Sequence, residues 1–184
     1  MADSLRVIND SWGLEAPQDC RIYVMTSWMR FVFQSAPFPW RVVLALSLPL
    51  WPGRFRRTWE FSAAWTLRYG RRVVIGIKPP RLLELSNKRV GAYMYEPETD
   101  VQAKMRQLTC HELIHACSAT LRLPAWLNEG LAFVTVDRCL GKRTIRLDTL
   151  DMLRRIQPKE PPPGYRELVR LEPELIAYHG VRGY

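Results

Sequence analysis

At 184 residues, with 47% hydrophobic and 11% aromatic side chains, the chain has the size and apolar content of one globular domain with a real core. That balance excludes a disordered or low-complexity protein, and no internal repeat is visible. The net charge is +9, and all but five of the 27 basic residues are arginine. Clusters at Arg54, Arg56, Arg57 and at Arg68, Arg71, Arg72 raise a nucleic-acid or acidic-substrate surface. The basic residues are nonetheless scattered over the whole length and no nucleic-acid module is readable, so a solvated basic face is the simpler reading.

Met1-Ala2-Asp3-Ser4 lacks the basic and apolar regions of a signal peptide, which leads to the expectation of a cytoplasmic protein. Residues 20–60 alternate apolar runs with prolines and read as strands and short helices. Val42 to Trp51 is strongly apolar, but ten residues are too few to cross a bilayer, and Pro49 and Pro52 close the run. It reads as a buried strand or short helix. Arg72 to Lys78 is a buried strand ended by Pro79-Pro80. Val90 to Tyr95 reads as a second strand. Asp100 then caps a long amphipathic helix whose buried side carries Val101, Met105, Leu108, Ile114, Cys117 and Leu121.

That helix contains His111-Glu112-Leu113-Ile114-His115, an H-E-x-x-H motif holding two of the three histidines of the chain. Residues 111 and 115 lie one turn apart on one helical face, so both imidazoles reach a single metal ion. Glu112 stands beside them, where a carboxylate takes a proton from a metal-bound water. Catalytic zinc usually has three protein ligands, and Glu129 is the candidate for the third. The motif helix is expected to run to about Leu121, with Arg122 to Pro124 as a tight connection and Pro124 opening a second helix over Ala125 to Arg138. An antiparallel pair turning near residue 122 brings 115 and 129 level, and Gly130 is expected to let the two backbones approach. Asp137 is the rival ligand, about a turn too far along. A capping or surface role is the simpler alternative for Glu129.

Further on, Gly141 ends the second helix or begins the next loop. Ile145-Arg146-Leu147 reads as a short strand, and Asp148 as the cap of a helix through Ile156. Pro161-Pro162-Pro163-Gly164 is a linker, followed by short helices over Tyr165 to Leu171 and Pro173 to His179. Cys20, Cys110, Cys117 and Cys139 form no C-x-x-C pair. Cys110 and Cys117 read as packing residues, with no disulfide framework and no second zinc site.

H-E-L-I-H followed by L-P-A-W-L-N-E-G-L-A resembles the gluzincin metallopeptidases, most closely compact bacterial members with a short spacer. The match spans residues 111–134. It implies an α+β fold with a small thermolysin-like zincin core: a mixed sheet with an edge strand, the H-E-x-x-H helix, an antiparallel glutamate-bearing helix, then C-terminal helices. The chain is then one domain, strand-rich over 1–98 and helical over 99–184. The resemblance implies one Zn2+ per chain on His111, His115 and Glu129, with Glu112 as general base acting on a peptide or protein substrate. It also implies an oxyanion donor on a helix C-terminal to Glu129. Tyr178 and His179 are the candidates, against plain packing and helix-end roles, with Tyr165 or a backbone N–H of the 90–95 strand in reserve. Glu96, after the expected edge strand, matches poorly the glutamate that holds a substrate amine in aminopeptidase-like members. The alternative function is a non-catalytic zinc-bearing protein associated with nucleic acid through its arginines.

Overall fold

The apolar run that begins at Arg72 forms the middle strand of a small mixed sheet, and the site-bearing helices pack on one face of it. The computed structural model describes residues 1–47, 59–60, 62–86, 90–156, 162–168 and 170–184. In chain order the elements are α1 (Ala2–Trp12), β1 (Asp19–Val24), α2 (Trp28–Ser35), α3 (Phe38–Ser47), β2 (Ala64–Tyr69), β3 (Arg72–Ile77) and α4 (Pro80–Ser86). There follow α5 (Ala92–Met94), α6 (Val101–Ser118), α7 (Ala125–Leu140), α8 (Leu147–Ile156), α9 (Tyr165–Leu168), α10 (Pro173–Gly180) and a 3₁₀ turn (Val181–Gly183). The fold is mixed α and β, and no helix among the described residues is long and apolar enough to cross a membrane.

β3 lies between β1, to which it is parallel, and β2, to which it is antiparallel. The β2–β3 hairpin turns at Gly70, whose φ of 63° is readily reached only without a Cβ. Side chains alternate across the sheet, so Val73, Ile75 and Ile77 face one way and Val74 the other. The first set packs with Ile8 of α1, with Leu108, Leu113 and Ile114 of α6, and with Ala132 of α7. Val74 packs with Met25, Phe31 and Val32 on the opposite face. Cover on both faces explains why this strand is continuously apolar rather than alternating.

Five sequence expectations change. Val90 to Tyr95 is a helical turn, not a strand. Val90 and Met94, four residues apart, are both buried against Phe133, Ile145, Ala177 and Val181, a spacing that only a helical turn satisfies. Tyr95 forms one isolated bridge with Ile145, which is all that remains of the strand expected at Ile145–Leu147. The apolar run from Val42 enters α3, but Val42, Val43 and Leu46 are exposed, so this helix is not buried. Residues Leu48–Trp51 and the cluster Arg54, Arg56, Arg57 lie outside the described residues. α6 stops at Ser118, leaving Leu121 exposed in the turn, and Asp148 sits inside the first turn of α8 instead of preceding it.

Candidate metal centre

Asp100 starts α6 as its sequence suggests, its carboxylate accepting from the Gln102 backbone N–H at 2.8 Å. The chain reverses through Arg122, which takes a left-handed φ of 51°, and Pro124, which precedes the first turn of α7. This reversal sets Glu129 opposite both motif histidines. Nε2 of His111 and Nε2 of His115 are 3.1 Å apart. Glu129 Oε2 is 3.3 Å from the first and Glu129 Oε1 is 3.5 Å from the second. Metal bonds of about 2.0–2.1 Å at tetrahedral angles separate ligand atoms by about 3.3–3.4 Å. The separations lie near that value, with one carboxylate oxygen turned to each imidazole, so His111, His115 and Glu129 could together hold one metal ion.

Around this triad the polar groups are held in a chain. Thr66 of β2 donates its hydroxyl to Glu112 Oε2 at 2.6 Å, so the outer strand of the sheet fixes the carboxylate that follows the first histidine. Burial pushes the Glu112 carboxyl above its usual range, with Glu129 adding to the rise, while His115 and the Thr66 hydroxyl oppose it. Glu129 is also buried, which alone would raise it, but His115, His111 and Tyr165 outweigh burial and hold it at about 2. Tyr165 donates its hydroxyl to Glu129 Oε1 at 2.7 Å and receives an N–H from Asn128 at 2.9 Å. Asn128 in turn accepts from the Ser118 hydroxyl at 3.0 Å. Burial, then the nearby Glu129 charge, pushes the Tyr165 phenol well up, so it remains a donor at neutral pH.

The other faces of the imidazoles are unusual. Nδ1 of His111 and Nδ1 of His115 are buried without a hydrogen-bond partner among the described residues. A metal-bound histidine ordinarily has that N–H held by an acceptor. Here the Phe133 ring lies 5.2 Å from the His111 ring, so packing rather than a hydrogen bond orients it.

Asp137 is not in the cluster. Its Oδ1 accepts from the backbone N–H and hydroxyl of Thr144, and its Oδ2 accepts from the Tyr184 hydroxyl at 2.5 Å. It therefore ties together the loop after α7 and the C-terminal turn. Gly130 serves a different contact from the expected one. A Cβ there would stand 2.1 Å from the Gly183 carbonyl oxygen, so it admits the C-terminal turn against α7 rather than α6. Tyr178 is buried with its hydroxyl unpartnered among the described residues, and His179 packs edge-on against it at 5.0 Å between ring centres. Neither is hydrogen-bonded to the triad. Glu96 is exposed, its backbone N–H bonded to Thr144 O. Arg68 donates to Gly70 O and Ala119 O, and Arg72 to Asp19, so both are engaged within the fold.

Sequence reasoning missed Thr66, and it placed Tyr165 only in reserve. The alternation of Trp65, Leu67 and Tyr69 before Gly70 was a legible hairpin signal for β2, but nothing local marks Thr66 as facing Glu112. Comparison with family models, with curated proteins and with solved structures finds no match for this chain.

Proposed function

We propose that the chain is a zinc-dependent peptidase with a compact gluzincin-type core. The observation that carries this reading is the convergence of His111, His115 and Glu129 within reach of one ion, with the Glu112 carboxylate alongside. His111, His115 and Glu129 would hold the zinc, which would supply Lewis-acid chemistry to the site. Glu112 receives the water's proton and returns it to the leaving amine. Its raised pKa suits both halves of that exchange. Thr66 occupies Oε2, which leaves Oε1 for the proton transfer. Tyr165 steadies Glu129 and is the hydroxyl best placed to donate to the developing oxyanion, ahead of Tyr178 and His179. The peptide lies along the outer edge of β2, because that strand carries Thr66 and ends the sheet on the site side. Among the described residues no observation favours the nucleic-acid alternative, since Arg68 and Arg72 are bonded internally.

Metal analysis of the purified protein with a quenched-fluorescent peptide library tests the proposal. Wild type should carry one zinc and cleave. Glu112→Gln should keep zinc and lose about 10²-fold or more in kcat. His115→Ala should lose both. Hydrolysis at the wild-type rate by Glu112→Gln would overturn the mechanism, and a wild type that binds no zinc would overturn the assignment.

A further inference from the structure

Outside the metal triad, one pair of side chains among the described residues brings reactive atoms together. Cys110 Sγ and Cys139 Sγ are 2.7 Å apart across the two site-bearing helices. Cys110 lies on α6 immediately before His111 and is fully buried. Cys139 lies near the end of α7, on the same helical face as Thr135, whose carbonyl is 3.8 Å from Cys110 Sγ. Both are free thiols, and Cys139 is only half-buried. It borders a small recess lined by Asp3, Ser4, Val7, Arg106 and Leu140. Closing a disulfide, with a bond of about 2.05 Å, needs the sulfurs to move by less than an ångström. The packing of α6, α7 and α1 already holds them in place.

We propose that Cys110 and Cys139 are a redox-responsive dithiol that closes into a disulfide across the helix hairpin, with a low-molecular-weight disulfide as the oxidant. Cys139 is the attacking sulfur because it is the one that reaches the surface. A hydrogen bond from Cys110, with the Arg106 guanidinium adding to it, holds the Cys139 thiol below its ordinary range, which favours the attacking thiolate. Its thiolate attacks one sulfur of the oxidant, breaks that S–S bond and releases one small thiol. Cys110 then attacks Cys139 Sγ, breaks the mixed disulfide and releases the second small thiol. The protein gives up two electrons and two protons, and the oxidant becomes two thiols that carry those protons. The ring so formed spans residues 110–139 and contains His111, His115 and Glu129. Oxidation thereby staples together the two helices that carry the triad. This inference does not depend on which metal the triad holds or on peptidase activity.

The test is differential alkylation of the full chain after equilibration with mixtures of reduced and oxidised glutathione, read by intact mass and peptide mapping. The expected product is a loss of 2 Da with a Cys110–Cys139 linked peptide, while Cys20 and Cys117 remain alkylated. In Cys139→Ser the 2 Da loss should disappear. The proposal is overturned if Cys110 and Cys139 remain alkylatable in the most oxidising mixture. A 2 Da loss that maps to Cys20–Cys117, or that persists in Cys139→Ser, overturns it equally. Should that variant not fold, the peptide map of the wild type decides alone.

Discussion

Thr66→Val isolates the contact by which the sheet grips the site. Both residues are β-branched, so the strand keeps its shape, and only the hydroxyl is lost. That hydroxyl makes a 2.6 Å hydrogen bond to a Glu112 side chain in a residue only 7% exposed. A hydrogen bond to an ionised group contributes about 1.5–3 kcal/mol, and one between neutral groups about 0.5–1.5 kcal/mol. Thr66→Val should therefore cost about 1.5–3 kcal/mol in wild type but about 1 kcal/mol less in a Glu112→Gln background, a coupling that a double-mutant cycle reads directly. The pH dependence has a definite sign. The folded pKa of Glu112 is already raised, mainly by burial, so ionising it subtracts stability as pH climbs from the ordinary carboxylate range through the folded pKa. Losing Thr66 raises that pKa further, so the variant's deficit should be larger at pH 8 than at pH 4. Urea denaturation of the metal-free protein at both pH values measures this, with Thr66→Ser as the control that keeps the hydroxyl. Under the proposed peptidase mechanism, the acidic limb of kcat/KM should move to higher pH in the zinc-loaded protein. A Thr66→Val variant within 0.5 kcal/mol of wild type at both pH values, with no coupling to Glu112, would refute the reasoning.

Other perturbations reach other parts of the fold. Tyr165→Phe should lower kcat by about 10- to 10³-fold and Tyr178→Phe less, because only Tyr165 contacts the triad; steady-state kinetics on the two variants checks the order. Gly130→Ala should destabilise by at least about 2 kcal/mol, since the added methyl meets the Gly183 backbone, which has no side chain to swing away; urea midpoints measure it. Lys78 is buried beside Trp59, and burial pulls its ammonium down to about 8. The unfolded chain then binds more protons between pH 8 and about 10.4, so stability should rise with pH across that window, by at most about 3 kcal/mol. Lys78→Met should abolish the rise and match or exceed wild type at pH 7, as thermal melts across the window would show.

The clustering of His111, His115 and Glu129 was legible in the sequence because its geometry is local. Helical periodicity alone puts His111 and His115 on one face, and a short connection with Pro124 fixes which residue of the returning helix comes level with them. The same locality made the Asp100 cap and the strand from Arg72 readable. What the sequence left open depends on contacts between residues far apart in the chain. Val90 to Tyr95 has a strand's composition, yet the pocket between Phe133 and Ala177 accepts it only as a helical turn. Thr66 meets Glu112 across 46 residues, Tyr165 meets Glu129 across 36, and Cys110 meets Cys139 across 29. Such pairings follow from how the sheet, the hairpin and the C-terminal segment pack together, and no local propensity encodes that packing.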